Sequence, residues 1–191
     1  MIVNRYRYIE QLSRSKNNGL IKIITGLRRS GKSFLLKKLF HQHLLDEGVR
    51  EDHILVIDME SRKNREFKNP DYLLDWVEKM MIDYETYYII IDEVQEVEDF
   101  VEVLSSLSVT EGADVYVTGS NSRFLSSDLV TEFRGRGDEI HVWPLSFKEF
   151  MTVYDGSKED GWAEYRLYGG LPQLLTPVSY THLRAHETRH D

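Results

Sequence analysis

Residues 24–36 read "ITGLRRSGKSFLL", and they decide how the rest of the chain is read. Gly26, four residues, then Gly31, Lys32 and Ser33 fit the phosphate-loop pattern G-x-x-x-x-G-K-[ST] without a mismatch. The stretch follows the β-branched run "LIKIIT" (20–25) and opens "KSFLLKKLFHQHLLDEG" (32–48), where Phe34, Leu35, Leu39 and Leu44 fall near helical spacing. Strand, glycine loop and helix in that order are what phosphate binding needs. The glycines let a tight backbone wrap its N–H groups around phosphate oxygens, and the helix N-terminus adds its positive dipole. The expected nucleotide contacts are Gly26, Leu27, Arg28, Arg29, Ser30, Gly31, Lys32, Ser33 and Phe34. Lys32 would reach the β- and γ-phosphates, and Ser33 would offer its hydroxyl to Mg2+, leaving that ion otherwise bound by water and phosphate.

Outward from this loop the chain alternates short β-branched or aromatic runs with longer amphipathic ones, the pattern of a parallel sheet wrapped by helices. The predicted strands are "LIKIIT" (20–25), "HILVID" (53–58), "YYIIID" (87–92), "DVYVTG" (114–119) and "EIHVW" (139–143). Between them "PDYLLDWVEKMMIDY", "VEDFVEVLSSLSVTEG" and "SRFLSSDLVTEF" read as helices. Gly48 suits the end of the first helix and Pro70 the start of the second. "ESRKNREFKNPD" (60–71) reads as a charged, solvated connector.

In "YYIIIDEVQ" (87–95) five apolar or aromatic residues leading to Asp92 describe a buried strand that delivers a carboxylate at its C-terminal edge, where open α/β sheets bind ligands. Asp92 is expected to hold Mg2+ through water, and Glu93 to orient or deprotonate an attacking water, which hydrolysis requires and simple binding does not. The alternative is that both merely open an acidic helix, "DEVQEVED". At the end of the fourth strand Ser120 or Asn121 would sense the γ-phosphate, cap a helix, or do both.

The chain of 191 residues is 41% hydrophobic, which suits one α/β domain with a sizeable core. Its net charge of −8 and the lack of a dense Lys/Arg run argue against extensive nonspecific nucleic-acid binding. There is no cysteine, no signal-peptide-like start and no run near the roughly 20 apolar residues of a membrane span. These features predict a soluble, cytoplasmic protein.

In order and spacing, "ITGLRRSGKSFLL", "YYIIIDEVQ", "YVTGSNSRFL", "FRGRGDEIHVWPLSFKEF" and "YRLYGGLPQLL" resemble the AAA-type P-loop ATPases of bacteria and archaea that carry an uncharacterised C-terminal region with a nuclease-like domain. The resemblance runs from Arg5 to about Leu175. It implies a P-loop NTPase three-layer sandwich, with a five-stranded parallel sheet ordered 5-1-4-3-2, and an ATPase using ATP and Mg2+. By position it makes Lys32 and Ser33 the phosphate and magnesium residues, Asp92 and Glu93 the second motif, and Ser120 or Asn121 the sensor. Arg136 becomes a charge-neutralising arginine near the γ-phosphate, acting in cis or on a neighbouring subunit of a homo-oligomer. A surface arginine paired with Asp138 or Glu139 is the alternative, and Arg134 offers the same chemistry. Such proteins continue well past "GGLP", so a C-terminal half is expected to be missing here, and with it the region that would meet a nucleic-acid or protein partner. Two other readings stay open: a nucleotide-dependent switch with little turnover, and a small-molecule kinase with "FRGRG" (133–137) as an arginine lid. The Asp92–Glu93 pair suits water activation better than transfer to a bound alcohol.

The end of the chain, "PVSYTHLRAHETRHD" (177–191), contains His186, Glu187 and His190 in the zinc-protease spacing H-E-x-x-H. No zinc is expected. A third ligand has to come from downstream, and His182 on the same helix would lie about 12 Å from His190, too far for bonds near 2 Å. From Val178 the string resembles the translation of a sequencing adapter, so 1–177 is expected to be the ATPase domain and 178–191 a non-native tail.

Overall fold

The computed structural model describes residues 2–119, 133 and 137–172. Among them five strands, β1 (Ile21–Thr25), β2 (Ile54–Asp58), β3 (Tyr87–Asp92), β4 (Ala113–Thr118) and β5 (Gly137–His141), pair in parallel in the order β2-β3-β4-β1-β5. That is the expected order, with the phosphate-loop strand between the fourth and fifth. The expected fifth strand is displaced: pairing begins two residues early, with Gly137 opposite Ile21, and Trp143 lies beyond it, exposed.

Alternate side chains of each strand enter opposite faces, and the two faces make two cores. Ile23, Ile57, Ile89, Ile91 and Val117 pack with Leu73 and Val77 of α3 (Pro70–Met80) and with Val103, Leu104 and Leu107 of α4 (Phe100–Ser108). Ile24, Tyr88, Ile90, Tyr116 and Ile140 pack on the other side, under Tyr8 and Leu12 of α1 (Tyr6–Arg14) and Leu35, Leu36, Phe40 and Leu44 of α2. Helix α2 is built from three consecutive segments: α-helical Lys32–Phe34, a π-helical stretch Leu35–Phe40, and α-helical His41–Asp46. The result is the three-layer α/β sandwich. One polar pair enters the sheet interior, where Lys22, wholly buried, meets Asp114, and Asp114 also accepts from the Tyr116 hydroxyl at 2.8 Å.

Two further helices follow β5. Ser146 starts α5 (Phe147–Met151) with a reciprocal capping box to Glu149, and Ser157 caps α6 (Lys158–Tyr168). Asn69 caps α3 directly before Pro70, as the sequence suggests. The connector 60–71 departs from expectation. Its Arg62–Lys68 portion forms a 3-10 segment kinked at Asn64, because Phe67 has Tyr72 and Trp76 to pack on and Lys68 pairs with Glu96 at 2.8 Å. The predicted helix in 122–133 and the tail 178–191, with its His182, His186, Glu187 and His190, lie outside the described residues apart from Phe133. Among the described residues no helix is long and apolar enough to cross a membrane.

Candidate functional site

Strand β1 ends at Thr25, whose carbonyl accepts from the Val142 amide at 2.8 Å, and the loop that follows is shaped by residues that tolerate unusual backbone. Gly26 has φ +133°, and a Cβ there would meet the Val142 carbonyl oxygen at 2.2 Å, so only glycine fits. Arg29 takes φ +68° and Gly31 +98°, turning the chain so that Gly31 caps α2. Lys32 is buried and its ammonium donates to the carbonyls of Gly26 at 2.9 Å and Leu27 at 3.1 Å, curling over the loop. Burial lowers the pKa of Lys32 from its ordinary value, and the carboxylates of Glu93 and Asp92 push the other way, which places both within electrostatic reach. Inside the loop the Ser30 hydroxyl is buried and has no hydrogen-bond partner among the described residues. An orphaned hydroxyl beside a glycine-lined backbone suits a ligand oxygen.

At the ends of β2 and β3, Asp58 and Asp92 lie abreast in register. Lys37, on the π-helical part of α2, reaches one oxygen of each at 2.7 Å. Burial alone would lower the Lys37 pKa, but the two carboxylates outweigh it and hold the ammonium above its ordinary value. Thr118, fully buried at the end of β4, donates to Asp92 at 2.6 Å and accepts from the Glu93 amide at 3.0 Å. Glu93 itself stands in left-handed backbone at φ +57°, and the Gln95 side-chain amide donates to its carboxylate. No acidic helix opens here. Glu93 precedes a single 3-10 turn, Val94–Glu96, without capping it through its side chain, and α4 starts only at Phe100.

The loop is also tied from outside. Arg5, nearly buried, donates to the Ser30 carbonyl at 3.1 Å and the Trp143 carbonyl at 2.8 Å, and pairs with Glu149 of α5 at 3.2 Å. Its guanidinium lies 4.5 Å over the Tyr8 ring. The segment after α6 returns to the same place: a Cβ built on Gly31 would lie 3.7 Å from Pro172, and one on Gly170 would strike the Leu145 carbonyl at 2.1 Å.

Lys32, Ser33, Asp92 and Glu93 thus share the C-terminal edge of the sheet. Ser33 is half-buried on the first turn of α2 and Phe34 is exposed beside it. A serine hydroxyl and a carboxylate are hard oxygen donors, which fits a magnesium ion with water and phosphate as its remaining ligands. Ser120, Asn121, Arg134 and Arg136 lie outside the described residues. Sequence reasoning did not find Arg5, Lys37, Asp58, Gln95 or Thr118. Only Thr118 carried a local signal, standing one residue before the glycine that ends the fourth predicted strand; the others enter through the tertiary fold. On the opposite edge, His53, Asp83 and Glu85 bring ligand atoms within 4.8 Å of one another. Arg50 pairs with Asp83 at 3.5 Å and each His53 ring nitrogen faces a different carboxylate, so the group reads as an ion-pair network.

A family model described as an AAA domain matches residues 18–151. An uncharacterized protein of Haemophilus influenzae is 35% identical over 180 residues, covering 91% of this chain and 45% of that protein. The uncharacterized protein MJ1544 of Methanocaldococcus jannaschii is 29% identical over 170 residues, covering 81% and 36%. The chain therefore spans less than half the length of these curated relatives. Among solved structures, the Aeropyrum pernix ORC1 protein in complex with DNA gives a TM-score of 0.56 at 12% identity, over 86% of this chain and 50% of that one. That likeness is one of fold.

Proposed function

The chain belongs to the AAA-domain family, and from that premise we propose that it binds ATP with Mg2+ and hydrolyses it. The observation that carries the reading is the convergence of the buried Lys32 with Asp92 and Glu93 on one sheet edge, linked through Thr118 and Lys37. In this reading the amides of 26–34 and the Lys32 ammonium hold the β- and γ-phosphates. Ser33 and Asp92 hold the magnesium ion, which supplies charge neutralisation on the phosphate oxygens when bound. Glu93 orients a water molecule and takes its proton. The water oxygen forms the new bond to the γ-phosphorus, the bond to the β–γ bridging oxygen breaks, and its electron pair leaves on ADP. Ser120 or Asn121 senses the γ-phosphate and Arg136 or Arg134 neutralises its charge. Lys32→Ala should abolish ATP binding, measured by titration with a fluorescent nucleotide. Glu93→Gln should bind ATP normally and lose about 100-fold or more in turnover. Undiminished phosphate release by the Glu93 variant would sink the assignment.

A second reading has its own support. Pro172 lies close enough to Gly31 that a Cβ built there would stand 3.7 Å from it, so the segment after α6 passes beside the phosphate loop, which favours a switch that reports the bound nucleotide to the additional length its relatives possess. Through that length it would meet a nucleic-acid or protein partner. Tight binding with negligible turnover in a full-length relative is its signature.

A further inference from the structure

Gln95 is buried beside Glu93, and among the described residues only half of its side-chain amide is satisfied. The NH2 group donates to the Glu93 carboxylate, whereas Oε1 is buried and accepts from no described group. The amide cannot be turned round, because that would set a carbonyl oxygen against a carboxylate oxygen. A buried amide oxygen without a donor is costly and uncommon in folded proteins. It lies beside a glutamate that is itself in left-handed backbone, a conformation that persists only where the surroundings enforce it. Thr118 fixes the Glu93 main chain through its amide, and Gln95 fixes the side chain.

We propose that Gln95 is the positioning residue of hydrolysis: its NH2 group holds the Glu93 carboxylate at the angle needed to receive a proton from the attacking water. The inference rests on the reading of Glu93 as the group that activates water. In the step it assists, one water proton passes to Glu93 while the water oxygen bonds to the γ-phosphorus, and the bond to the bridging oxygen breaks with its electron pair leaving on ADP. Gln95 therefore sets the direction of Glu93.

The test compares Gln95→Ala and Gln95→Glu with Glu93→Gln and the double variant Glu93→Gln/Gln95→Ala. It uses the 191-residue chain with ATP and Mg2+, measuring nucleotide affinity, kcat and KM. Both Gln95 variants should bind ATP within about twofold of the parent and turn it over about 10–100-fold more slowly. The loss should fall on kcat, with the KM for ATP within about twofold of the parent. The double variant should be no slower than Glu93→Gln alone. Wild-type turnover in Gln95→Ala would overturn the inference, as would a double variant markedly slower than Glu93→Gln alone. If Glu93→Gln itself keeps full turnover, it is the role of Glu93 that falls, and the two failures are distinguishable.

Discussion

At the scale of single residues, the phosphate loop is paid for in backbone conformation. Arg29 and Glu93 are two of the four non-glycine residues at positive φ among those described, and both belong to the site. Gly26 is the most constrained of the loop positions: any side chain would need left-handed space and the room taken by the Val142 carbonyl. Gly26→Ala should cost about 3 kcal/mol, since backbone strain of about 1–3 kcal/mol adds to overpacking of similar size. Urea unfolding measures that loss, and ATP binding should vanish with it; a variant of parental stability would show that the loop can move away from Val142. Gly26, Lys32 and Ser33 are legible because their spacing is a local chemical code. Arg5 is not, since its three partners lie 25, 138 and 144 residues away along the chain, and no pattern in "MIVNRYRY" announces them.

At the scale of elements, the strands were readable from β-branched runs, and the errors fall where a partner rather than a propensity sets the boundary. The fifth strand starts at Gly137 because β1 offers Ile21 to pair with, although glycine weakens a strand pattern. The segment 60–71 is charged enough to read as loop, yet the Phe67, Tyr72 and Trp76 rings fold part of it. The π-helical stretch of α2 has no sequence mark at all, and it carries Lys37 to Asp58 and Asp92. Helix α5 is short and leans on its cap. Ser146→Ala removes that cap and should cost about 1 kcal/mol, a fall of about 3 °C in Tm for a domain of this size, readable by calorimetry. Burial pushes the Glu149 carboxyl up, but hydrogen bonds from Ser146 and the charge of Arg5 prevail and hold it below its ordinary value. A depressed carboxylate adds stability above its unfolded value, near about 4.3, and loses it as the pH falls through the folded one. The stability gap between parent and Ser146→Ala should accordingly be full at neutral pH and narrow below about pH 4; a gap that stays constant there would separate Glu149 from the cap.

At the scale of the whole molecule, the two cores were foreseeable because each strand alternates its apolar side chains, whereas the order of the strands was not a property of any single segment. That order has a temporal consequence. Strand β1 is made early in synthesis but pairs with β4 at Tyr116–Thr118 and with β5 at Gly137–His141, and the carbonyl of Thr25 is held by the amide of Val142. The phosphate-binding sequence therefore leaves the ribosome more than a hundred residues before the backbone that shapes it. On stalled nascent chains, capture by immobilised ATP should be absent while Val142 is still inside the exit tunnel and appear once β5 has emerged; capture of a chain ending before Gly137 would contradict this. A nucleotide loop that cannot close until β5 arrives carries a built-in clock: if the chain is the ATPase proposed above, a ribosome that stops short of Val142 releases a product that cannot squander ATP.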